Sequence, residues 1–88
     1  MYVDSSAIVA IILDEPDAAS LLKRLMAASS PFTSIVTKVE ASLALTRIGG
    51  KASPAAQMVA EFLDRLGIRV VGVEPTMFEH VMQAAARY

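Results

Sequence analysis

Met1-Tyr2-Val3-Asp4-Ser5-Ser6-Ala7-Ile8-Val9-Ala10-Ile11-Ile12-Leu13 opens the chain and decides its architecture. Met1 to Val3 suit a short strand, Asp4-Ser5-Ser6 is a small polar break, and the run from Ala7 to Leu13 is unbroken in its apolar character. A strand feeding directly into a buried helix is the natural reading. Ser5 or Ser6 can cap that helix by accepting from its free backbone N–H groups, and Asp14-Glu15-Pro16 breaks it.

Working outward, Ala18, Leu21, Leu22, Leu25 and Met26 recur at helical spacing and predict a second helix from Asp17, stopped by Ser29-Ser30-Pro31. Phe32-Thr33 begins a second strand. Ser34 then caps a helix spanning Ile35 to Ile48, which Gly49-Gly50 closes. Ser53-Pro54 predicts the start of a fourth helix whose stripe is Val59, Phe62, Leu63 and Leu66. After Gly67, the β-branched stretch Ile68 to Val73 reads as a third strand covered on both faces. Thr76 and Glu79 form a capping box for a fifth helix with Phe78, Val81, Met82 and Ala85 behind it. Its pattern still runs at Tyr88, so the expectation is a domain cut short at its C-terminus. Three strands alternating with five helices imply an α/β fold with a parallel sheet flanked by helices.

Composition sets the bounds. With 88 residues, 55% of them hydrophobic and 19% charged, the chain has room for one domain, residues 1–88, and enough apolar surface to avoid disorder. It contains no cysteine, which excludes a disulfide framework, a thiolate zinc site and a thiol nucleophile. The net charge of -1 advertises no passive polyanion binding, so a nucleic-acid substrate needs another source of positive charge. No stretch is long enough to span a bilayer, and Asp4 replaces the basic start of a signal peptide. The expectation is a soluble, cytoplasmic protein.

In an open parallel sheet, chemistry collects beyond the carboxyl ends of the strands, and two acids fall there. Asp4 ends the first strand just before the apolar helix, which predicts a partly buried carboxylate. Glu40 follows the second strand, and its helical neighbours Val36, Val39, Leu43 and Ala44 predict that it projects from the core-facing stripe. The bland alternatives are a helix cap for Asp4 and a solvated helix position for Glu40. Two carboxylates without a nearby histidine or cysteine suit a hard cation such as Mg²⁺, with Mn²⁺ as a substitute. Such an ion activates water and neutralises charge on phosphate oxygens, which points to phosphoryl chemistry.

Tyr2-Val3-Asp4-Ser5-Ser6-Ala7-Ile8-Val9-Ala10 resembles the opening of PIN-domain ribonucleases of the VapC toxin type, and Glu15-Pro16 after the first helix fits as well. Thr33-Ser34-Ile35-Val36-Thr37-Lys38-Val39-Glu40-Ala41 is similar to the second acidic motif of that family. The resemblance implies a three-layer PIN-like fold, of which this chain is the N-terminal part. It assigns Asp4 as a metal ligand and Glu40 as the second active-site acid, both serving catalysis and metal binding. It further implies a type II toxin–antitoxin system, cellular RNA as substrate, a cognate VapB-like antitoxin and a homodimer or higher oligomer. The family's third and fourth acids have no counterparts here, because Asp64 lies late in a helix, Glu74 just precedes one and Glu79 belongs to a capping box. The 88-residue species is therefore expected to be inactive by itself.

A non-catalytic α/β interaction or oligomerisation module is the competing expectation, with the unpaired edge of the first strand as its contact. A receiver-like phospho-acceptor is a weaker third, since Val73-Glu74-Pro75 stands where such a domain has an aspartate. His80 reads as a surface residue and Met58, Met77 and Met82 as core or interface filling. Gly49-Gly50-Lys51 lacks the spacing of a phosphate-binding loop and reads as a turn.

Overall fold

A computed structural model describes residues 1–50 and 54–72, together with 79, 82 and 83. Its elements are α1 (Ser5–Ile12), α2 (Ala18–Ala27), β1 (Phe32–Ser34), α3 (Ile35–Gly49), α4 (Ala55–Arg65) and β2 (Arg69–Val71). The fold is α/β with parallel pairing. Phe32, Thr33 and Ser34 lie opposite Arg69, Val70 and Val71, and Tyr2 forms a parallel bridge to Phe32 on the other side of β1.

The counts differ from three strands and five helices. The Tyr2 segment contributes a single bridge because its ladder is cut short at Val3: Val3 donates its N–H to Phe32 at 2.8 Å, but its carbonyl accepts from the Thr33 side chain at 2.7 Å. The chain then turns into α1 at once. The fifth helix and its Thr76–Glu79 box fall outside the described stretches, as do Ser53, Met77 and His80. Pro54 occupies the N-cap of α4 and makes no side-chain cap bond, so that helix begins one residue later than the proline rule predicts.

Local signals elsewhere hold. Ser34 caps α3 by accepting from the Thr37 N–H at 3.1 Å, and Gly50, with φ of +81°, closes the helix in a backbone region that glycine enters without strain. The core gathers Val3 and Ile8 with Leu25 of α2, Ala41 and Leu45 of α3, Val59 and Leu63 of α4, and Ile68. Met26, Met58 and Met82 are exposed instead of filling a core.

Two burial expectations are corrected. β2 is not covered on both faces, since Arg69 and Val70 are exposed and only Val71 is half-buried. Helices α3 and α4 both contact β2. On α3 the buried stripe is Thr37, Ala41 and Leu45, not Val36, Val39 and Leu43, which are exposed. Small side chains at 37 and 41 let α3 approach α1 and α4 closely, and that turns the bulkier stripe outward.

Candidate active site

Asp4 has extended backbone, φ -87° and ψ 170°, and serves as the N-cap of α1 itself. Its Oδ1 accepts from the Ala7 N–H at 2.9 Å and the Ser6 hydroxyl at 2.7 Å. The helix therefore begins at Ser5, and the serines expected to cap it are its first residues. The carboxylate is exposed, not partly buried, because the turn out of the first strand carries it beyond the sheet. Both bonds fall on Oδ1, and among the described residues no hydrogen bond reaches Oδ2.

Glu40, in the second turn of α3, is also exposed, which follows from the outward rotation of its flanking stripe. Its Oε2 accepts from the Ser5 hydroxyl at 3.5 Å, a long contact that ties it to the residue next to Asp4. Asp4 also lines a cleft of about 510 Å³ on the far side of the first strand, with Ser6, Glu15, Asp17 and Arg24 among its walls. Glu40 is not part of that cleft. The two acids thus belong to the start of α1 and the early turns of α3, joined through Ser5. No group of three or more potential metal-ligating acids, histidines or cysteines occurs among the described residues.

A hydroxyl cluster that the sequence reading did not single out underlies this edge. The Tyr2 hydroxyl meets Thr37 Oγ1 and lies 3.3 Å from Ser34 Oγ, while Ser34 Oγ and Thr37 Oγ1 are 3.1 Å apart. Ser34 and Thr37 are buried, and the Tyr2 ring packs on Phe32 with centroids 5.5 Å apart. This links the first strand to the opening turn of α3 by side chains as well as by the β bridge. The only signal in the sequence was the hydroxyl-rich run Thr33-Ser34 with Thr37, which reads as a cap alone.

Two exposed carboxylates supply hard oxygen donors, and that donor set fits a divalent cation of the Mg²⁺ class, which is commonly held by one or two carboxylates and water. Among the described residues no helix is long and apolar enough to cross a membrane. No curated protein matches the chain. The PIN domain family model matches residues 1–88. PIN domains are in general nucleases and typically bind divalent metals. From its first residue to Tyr88, the chain belongs to the PIN-domain family.

Proposed function

We propose that the intact protein is a Mg²⁺-dependent endoribonuclease of the VapC toxin type, cytoplasmic, acting on cellular RNA and silenced by a VapB-like antitoxin. The observation that carries this reading is the Asp4–Ser5–Glu40 arrangement, with both acids exposed and Asp4 Oδ2 without a hydrogen bond among the described residues. A divalent ion, when bound, supplies water activation and charge neutralisation at the phosphate.

The chain's own residues do the positioning. Ser6 and the Ala7 N–H hold Asp4 Oδ1, which leaves one oxygen of fixed direction for a ligand. Ser5 donates to Glu40 and keeps the second carboxylate on the same side. Tyr2 braces Thr37 in the first turn of α3, one turn before Glu40. Two carboxylates support metal binding, while turnover needs further ligands to place the attacking water.

Titration of Mn²⁺ into the chain, followed by electron paramagnetic resonance, tests the site. Binding that disappears in both Asp4→Asn and Glu40→Gln supports the reading, and binding untouched by either substitution removes these acids from it. Cleavage assays on the intact protein with and without Mg²⁺ test the activity. A second reading, the interaction and oligomerisation module, is favoured by one observation: the apolar outer face of α3.

A further inference from the structure

The Tyr2 hydroxyl reaches from the first strand to Thr37 Oγ1 and Ser34 Oγ at the start of α3. Ser34 and Thr37 are buried and Tyr2 is half-buried, so water competes little for this contact. Asp4 lies two residues beyond Tyr2, which in extended backbone is a step of about 7 Å. Glu40 lies three residues beyond Thr37 on α3, where Cβ atoms stand about 5–6 Å apart. Each acid is therefore one short, stiff step from the same contact. The direct link between the two sides, Ser5 to Glu40, is exposed and 3.5 Å long, which makes it the weaker constraint.

Stiffness of this kind bears on which ion two carboxylates accept. Mg²⁺ and ions of its size ask for near-octahedral geometry, keep several waters and need only one or two carboxylates. Ca²⁺ takes six to eight oxygens in flexible geometry and gains from carboxylates that shift and offer both oxygens. Asp4 Oδ1 already accepts from the Ala7 N–H and the Ser6 hydroxyl, which disfavours coordination through both of its oxygens. Glu40 is then the acid whose freedom decides how well a larger ion is served. That freedom is set by how firmly the first turn of α3 is held.

We propose that Tyr2 is a specificity-determining residue of the candidate metal site. Its hydroxyl, engaged by Thr37 and Ser34, pins the start of α3 to the strand that carries Asp4 and keeps the Asp4–Glu40 pair selective for a small octahedral ion over Ca²⁺. Tyr2 touches no ion itself and acts through α3. The proposal rests on the metal-binding part of the nuclease reading and adds to it the residue that sets ion preference.

Competition of Ca²⁺ against Mn²⁺ on the 88-residue chain, followed by electron paramagnetic resonance of Mn²⁺, tests this. In the parent chain Ca²⁺ is expected to displace Mn²⁺ only in large excess. Tyr2→Phe and Thr37→Val, each checked for an unchanged circular-dichroism spectrum, should lower the ratio of Mn²⁺ to Ca²⁺ affinity by about tenfold, whereas Thr37→Ser keeps the hydroxyl and the parent ratio. Ile68→Val trims a buried side chain elsewhere in the core and should leave the ratio unchanged. A ratio that stays at the parent value in both Tyr2→Phe and Thr37→Val overturns the proposal, and so does an equal shift in Ile68→Val, which would mark a general loss of packing. A parent chain that binds neither ion removes the metal reading and this proposal together. Mn²⁺ binding with an unaltered ratio in the variants removes this proposal alone.

Discussion

The Thr33 hydroxyl donates to the Val3 carbonyl oxygen at 2.7 Å, at a position with no solvent exposure. One side-chain bond thereby takes the place of a rung in the ladder, ends the first strand and releases the chain into the Asp4 turn. Thr33→Val keeps the shape and leaves that carbonyl unpaired in the interior. The expected loss is about 1–3 kcal/mol of stability, read from urea unfolding. An unchanged midpoint would show that the carbonyl finds another donor.

Asp4 combines a cap with a free carboxylate oxygen, and two substitutions separate those roles. Asparagine caps helices as well as aspartate does, so Asp4→Asn should alter stability by no more than about 0.5 kcal/mol, whereas Asp4→Ala should cost about 0.5–2 kcal/mol. Both should lose Mn²⁺ binding. If Asp4→Asn binds the ion as the parent does, Asp4 is a cap and nothing more.

Tyr2→Phe removes the hydroxyl that joins the first strand to Ser34 and Thr37. Those two still contact each other at 3.1 Å, so the cost should lie near 0.5–1.5 kcal/mol, within the range for an ordinary hydrogen bond. Amide exchange should speed up selectively at the start of α3. Uniform acceleration across the chain would indicate a general loss of packing instead.

The two faces of α3 and α4 predict opposite sensitivities. Leu63→Ala empties a buried position and should cost about 2–5 kcal/mol, while Val39→Ala on the outer face of α3 should change monomer stability by about 0.5 kcal/mol or less. Thermal unfolding of the two variants side by side makes the comparison. A large loss from Val39→Ala in the monomer would place that side chain in the core.

Legibility followed the range of the interactions involved. Ser34 as a cap, Gly50 as a stop and the α4 stripe of Val59 and Leu63 are decided within one or two turns of chain, and each could be read before the structure was known. The alternation of strands and helices likewise led to a parallel sheet, because a strand with a helical crossover returns in the same direction. The two acids were legible as residue types at the ends of strands.

What the sequence by itself determined was therefore the family, the order of its elements and the position of Asp4 and Glu40 along the chain. Only the tertiary structure decided which side of α3 is buried. Apolar residues at 36, 39 and 43 compete with 37, 41 and 45 for the core, and periodicity favours whichever stripe is bulkier. Packing chose the smaller one, because Thr37 and Ala41 permit the close approach to α1 and α4 that larger side chains block. That choice turned Glu40 to the surface beside Ser5. Tertiary contacts also ended the first strand after one bridge, since the Thr33 hydroxyl and the Val3 carbonyl are 30 residues apart and meet only when the sheet has formed.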